Sequence, residues 1–196
     1  MIAAILLVVS ALASASWLEG PARAGTEVRV EADASGGGER PAERCRAASK
    51  LVRRLSETKL ERTLACAVNE QRSLRGLEPV ALDVRLGVAA AAHARRMVRD
   101  RCFSHQCQGE LDLEGRLRES GYLTAASDWS FAEDIGCAAT VEAMVKAWLR
   151  DRSSRRNMLN AEFRDLGVGF TKRPPRGCDG PSRAGGFTLV LGVAER

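Results

Sequence analysis

The stretch W-L-R-D-R-S-S-R-R-N-M-L-N-A-E-F-R-D-L-G-V-G, residues Trp148 to Gly169, decides the fold. Its left end closes an amphipathic helix that Thr140 is placed to cap, with Val141, Met144, Val145, Trp148 and Leu149 on the buried side. Trp148 and Phe163 read as core anchors, because large rings bury the most apolar area. Arg155 and Asn157 read as fixing the loop and the entry to a strand, since Asn favours turns and Arg bridges carboxylates. Leu166 to Thr171 then reads as a strand. Lys172 to Gly186, rich in Pro and Gly, reads as a long hairpin loop, and Phe187 to Val193 as the partner strand.

Upstream, the pattern is helical. Leu51, Val52 and Leu55 have helical spacing within Cys45 to Leu55. Thr58-x-x-Glu61 offers a capping box for a second helix, with Leu60, Leu64, Ala67, Val68 and Leu74 on one face and Gly76 as its stop. Asp83 caps a third, whose stripe is Leu86, Ala90, His93 and Met97. On that apolar stripe His93 reads as a packing histidine. A short helix passes through Leu113 and Leu117 toward Gly121-Tyr122. Helices followed by a small antiparallel sheet make the fold class α+β.

The chain has 196 residues, enough for one domain and a leader. Its net charge is +5, and only Lys50, Lys59, Lys146 and Lys172 among the 30 basic residues are lysine. The arginines are interleaved with Glu and Asp, and the chain is only 5% aromatic, so no basic run carries stacking rings. A solvated mixed-charge surface is the expectation, with no nucleic acid as partner. Met1 to Leu18 carry no charged side chain and include Ile5-Leu6-Leu7-Val8-Val9 before the small residues Ala11 to Ala15. This reads as an export signal over residues 1–15, with no stable membrane span once it is cleaved; an uncleaved anchor is the competing reading. Residues 16–41, which include Gly36-Gly37-Gly38, read as a disordered linker, and 42–196 as the folded domain. The destination is extracytoplasmic: secreted or at the cell envelope.

Six cysteines suit that compartment, with fifteen possible connectivities. The expected pairs are Cys45–Cys66, tying the N-terminal segment to the long helix, Cys102–Cys107, closing the loop that carries His105, and Cys137–Cys178, joining the segment after Glu133 to the hairpin loop. Cys102-x-x-His105-x-Cys107 lacks the second ligand pair of a zinc knuckle.

The opening stretch aligns without gaps to W-M-x-S-P-G-H-R-x-N-I-L-x-P-x-F-x-x-I-G-V-G, the block of bacterial members of the CAP superfamily, and resembles it. Val68-Asn69-Glu70-Gln71-Arg72 with Gly76-Leu77-x-Pro79-Val80 resembles the family's entrance, and Leu82-Asp83-x-x-Leu86 through His93-Ala94-x-x-Met97 its second helix. Phe103-Ser104-His105 matches F-S-H, Arg116 and Gly121-Tyr122 match R…G-Y, and Glu133-Asp134-Ile135 matches E-N-I. The resemblance covers residues 58–193 and implies an α-β-α sandwich, a small sheet between helices.

It also implies a cleft where two histidines and two acids meet and, in some members, hold a metal. His105 and Glu133 stand at the first histidine and first acid, and Asp151 where eukaryotic relatives carry the second acid. Ser154 replaces the second histidine, and Asp134 the usual Asn. Outside the cleft, His105 would fix its loop and Glu133 would accept loop amides. A hydroxyl is a poor zinc ligand, so no cofactor is expected beyond weak binding of a divalent metal such as zinc through His105, Glu133 and Asp151. Two functions follow. One is a non-catalytic exported module binding a lipid, another small apolar ligand or a cell-envelope protein. The other is a peptidase-like hydrolase, with Glu133 as base, His105 as acid or ligand, and Ser154 as nucleophile or water-holder.

Overall fold

In the computed structural model, residues 45–181 and 183–195 are described. The expected leader (1–15) and linker (16–41) lie outside them. Among the described residues, after a helical pair at residues 45–46, the main elements follow in the order α1 (Glu57–Ser73), β1 (Ala81–Leu82), α2 (Val84–Arg99), α3 (Leu113–Glu119), β2 (Asp128–Ala138), α4 (Val141–Arg150), α5 (Arg152–Met158), β3 (Asp165–Thr171) and β4 (Gly185–Glu195).

Local chemistry sets most of the boundaries. Asp83 caps α2 by accepting from the amides of Arg85 and Leu86, and Thr140 caps α4 by accepting from Ala143. Such caps satisfy amides that have no partner inside the helix. α1 differs from expectation: its cap is Ser56, two residues before Thr58, because Leu55 is already extended and the helix begins at Glu57. Cys45 to Leu55 does not form a full helix. Helix is kept only at residues 45–46, turns follow, and a 3-10 turn forms at Val52–Arg54, with the stretch bonded to the segment leading into α4 (Val52 N to Ala139 O, Glu142 N to Ala48 O). Asp151 caps α5, so Arg155 and Asn157 stand on a helix rather than a loop.

The sheet order is β1-β3-β4-β2. β2, β4 and β3 are antiparallel, but β1 runs parallel to β3, so the sheet is mixed rather than wholly antiparallel. Only two residues of β1 pair, held by Ala81 N to Arg164 O and Asp83 N to Leu166 O. A parallel neighbour needs a long crossover, here everything from α2 to α5. β2, eleven residues long, had no counterpart in the pattern reading.

Helices cover both faces, giving the α-β-α sandwich. On one side Leu60, Leu64 and Val68 of α1, Met144 and Trp148 of α4 and Met158 of α5 pack on Phe187, Leu189 and Leu191. Trp148 and Phe163 are both 2% exposed, as core anchors should be. On the other side Leu86 and Ala90 of α2, Leu117 of α3 and Tyr122 pack on Val190. α2 lies directly on β3, since a Cβ at Gly167 or Gly169 would overlap the α2 backbone at Leu86 and Ala90. Three disulfides, Cys45–Cys66, Cys102–Cys107 and Cys137–Cys178, span Cα separations of 5.5, 6.0 and 6.1 Å. Among the described residues no helix is long and apolar enough to cross a membrane.

Candidate functional site

Edge strand β2 delivers two adjacent carboxylates to opposite layers. Side chains alternate along a strand. Trp129 and Phe131 pack with the α2–α3 layer, and Glu133 follows them; Ala132 and Ala138 pack with the α1–α4–α5 layer, and Asp134 follows those.

Glu133 is sealed, its side chain 2% exposed, and both its oxygens are engaged. Arg116 of α3 donates to Oε2 at 2.8 Å and to Oε1 at 3.3 Å, and His105 Nδ1 donates to Oε1 at 2.9 Å. Arg116 also donates to the His105 carbonyl at 2.9 Å, which fixes the loop closed by Cys102 and Cys107. Burial alone would raise the Glu133 pKa, but the bonds from His105 and Arg116 and the Arg116 charge outweigh it and hold it below the ordinary value. The same bond from Glu133 raises the His105 pKa against a smaller opposing effect of burial. The His105 side chain is 64% exposed, so Nε2 is turned away from the carboxylate that grips Nδ1.

Behind this pair lies a second one. His93, fully buried on α2, donates through Nδ1 to Glu110 at 2.9 Å, while its Nε2 stops 3.8 Å from Glu133 Oε1 and has no hydrogen-bond partner among the described residues. Glu110 also accepts the Cys107 amide at 3.0 Å. His93 therefore packs, as its stripe suggested, but it also braces the floor of the site. Glu110 and the role of Arg116 were missed in the sequence. The available signal was an arginine in the apolar spacing Leu113–Arg116–Leu117.

In the other layer Asp134, 3% exposed, accepts from Asn157 Nδ2 at 2.9 Å. Burial pushes its pKa up to about 6, and the nearby Asp151 adds to the rise against the lowering effects of Asn157, Ser154 and His105. Asp151 is exposed and held down to about 2 by the Ser153 hydroxyl and the Ser154 amide. Its Oδ1 takes both, at 2.5 and 2.8 Å.

The expected site residues thus fall into two groups. His105 and Glu133 are bonded to each other and line a groove of about 360 Å³ with Gln106, Asp112, Leu113, Ala132 and Asn157. Asp151 and Ser154 are bonded to each other and lie beside Asp134, reached from the groove through Asn157. Among the described residues no hydrogen bond joins Ser154 to His105. A larger groove, about 850 Å³, lies between the Cys45–Cys66 disulfide, α1 and β1, and brings no imidazole.

Zinc fits poorly here. Both Glu133 oxygens are engaged, Asp151 caps a helix, and Ser154 offers a hydroxyl. Among the described residues no three His, Cys, Asp or Glu side chains are grouped to hold a metal.

Known proteins share this architecture. An outer surface protein of Borrelia burgdorferi superposes with a TM-score of 0.55 at 16% identity, over 67% of this chain and 90% of that one. An extracellular protein containing an SCP domain from Bacillus anthracis strain Ames gives 0.54 at 22% identity, over 70% and 43%. By sequence, the protein YkwD of Bacillus subtilis (strain 168) is 28% identical over 114 residues, or 57% of this chain; the match spans 42% of that relative's own length. The model of the CAP, or cysteine-rich secretory protein, family matches residues 66–178. That span is more than half the chain and carries both carboxylates and His105, so the chain belongs to the CAP, cysteine-rich secretory protein, family.

Proposed function

We propose that this CAP domain is an exported, non-catalytic binding module, with its His105 groove taking a small apolar ligand. The observation that carries this reading is the engagement of the reactive groups with one another. Glu133 is neutralised by Arg116 and His105, and the Ser154 hydroxyl faces acids instead of an imidazole. A serine nucleophile needs a base within hydrogen-bond reach, so the hydrolase reading draws no support from this geometry. The groove is lined by Leu113 and Ala132 together with a few polar side chains, the usual make-up of a site for a small molecule. The three disulfides support an oxidising, extracytoplasmic compartment. A cell-envelope protein is the other partner of this reading.

Native mass spectrometry of the oxidised, exported protein tests it. A small apolar molecule is expected to co-purify with the parent and to be lost from Leu113→Arg, which fills the groove with a charged side chain. Peptide hydrolysis that disappears in both His105→Ala and Ser154→Ala would replace the binding reading with the catalytic one. Zinc gives a second check. Calorimetry should find weak binding or none in the parent, and tighter binding in Ser154→His, which adds an imidazole beside the acids. Tight parental binding that survives His105→Ala would contradict the assignment.

A further inference from the structure

The larger groove is walled by a helix stripe on one side and an open strand edge on the other. Arg62, Cys66, Asn69 and Ser73 recur at helical spacing along α1, and Leu82 of β1 stands opposite. β1 is an edge strand, and its ladder with β3 runs through the amides of Ala81 and Asp83. Val80 and Leu82, which alternate with them, therefore turn their backbone groups outward. At Val80 the outward position is closed: Asn69 Nδ2 donates to its carbonyl and Asn69 Oδ1 accepts its amide, both at 2.9 Å. Leu82 has no such cap. Its amide and carbonyl are left open on the groove, and its side chain is one of the larger apolar groups that remain exposed.

We propose that this groove binds an extended peptide, which adds as a strand to β1 at Leu82 and sets an acidic residue or its terminal carboxylate against Arg46 and Arg62. An open strand edge is a template for pairing with another chain, through main-chain bonds that any sequence can make. The arginines supply the selection. Arg46 follows Cys45, and Arg62 lies one turn before Cys66, so the disulfide brings both to one end of the groove. Among the described residues neither makes an ion pair or a side-chain hydrogen bond, so both guanidinium forks are available to a carboxylate. Glu70, one turn beyond Cys66, keeps the basic character at that end. Length agrees as well: Arg62 to Ser73 spans about 16 Å of helix, the reach of about five extended residues. Ala65 and Val80 offer an apolar floor to alternate side chains of the peptide. The two grooves share no lining residue, so this site is independent of any ligand held beside His105.

Fluorescence anisotropy of the full, disulfide-bonded protein tests it, using a labelled hexapeptide of alternating valine and threonine that ends in two aspartates. The parent is expected to bind this probe, and Arg62→Glu, a change at an exposed position, to bind it at least about tenfold more weakly. Arg118→Glu alters net charge equally but on α3, and should bind as the parent does. The same peptide with methylated backbone amides should also bind at least about tenfold more weakly, because it cannot pair with the β1 edge. The proposal is overturned if the parent ignores the acidic probe, if a version ending in two lysines binds as well, or if methylation changes nothing. Affinity that survives Arg62→Glu, or falls equally in Arg118→Glu, overturns it too. So does a concentration-dependent dimer, formed without peptide and lost in Arg62→Glu, which would give the groove to a second copy of the chain.

Discussion

Arg72→Met is expected to lower unfolding stability by about 3–5 kcal/mol, the largest effect of any single side chain considered. Arg72 sits on α1 with no exposed surface, yet among the described residues it forms no ion pair with a carboxylate. Its guanidinium donates to four backbone carbonyls: Glu78 at 2.8 Å, Met158 at 3.0 Å, Asn160 at 2.9 Å and Phe163 at 3.3 Å. Three of these lie between the end of α5 and the start of β3, so one side chain ties the whole connection to α1. Burial lowers the Arg72 pKa, helped by the charge of Arg164. Methionine fills much of the volume but leaves the carbonyls without donors. Lysine would fail too, because its single ammonium cannot match the fork. Urea denaturation measures the loss, and a change below about 1 kcal/mol would mean that water or a shifted loop replaces the guanidinium.

Asp134→Asn should act in the opposite direction. Burial raises the Asp134 pKa from 3.8 to about 6. For a carboxyl with a raised folded-state pKa, the stabilising contribution is complete below the unfolded value and is lost as pH rises through the folded one. The parent is therefore expected to lose stability between about pH 4 and pH 6, as the buried group is forced to ionise. A shift of about two units corresponds to about 3 kcal/mol at most. At pH 7.5, Asp134→Asn should recover much of that, with its side chain still facing Asn157. At pH 3.5 the two proteins should unfold alike. Equal stability at both pH values would show that Asp134 is better solvated than its burial implies.

The features legible in the sequence were those set by near neighbours. Asp83 and Thr140 announce their helices because a cap is a bond to an amide two or three residues on. Trp148, Phe163 and the stripe through Leu86 and Ala90 follow from helical spacing and size. β2 was hidden because Glu133 and Asp134 interrupt the apolar alternation that Trp129 and Phe131 begin, and the reason for that interruption lies in other elements. The parallel pairing of β1 depends on a strand more than eighty residues away, which no local pattern reveals. Within the site, His105 and Glu133 were nameable from motif. Their clamp by Arg116 and the brace of His93 on Glu110 depend on how the layers meet. Thr58, the cap that spacing suggested for α1, instead falls inside the helix, because the chain turns helical at Glu57, directly after the Ser56 cap.

Neighbouring residues of β2 serve opposite layers, and this restricts how the protein can change in length. Deleting one residue between Phe131 and Glu133 would force a choice: the rings keep their layer or the acids keep theirs, because a shift of one position turns every side chain over. Insertions and deletions are thus expected to collect in the 172–184 loop, while β2 is inherited whole. Grafting this site onto another scaffold would likewise require a sheet edge covered on both sides, not merely a strand bearing the same two acids.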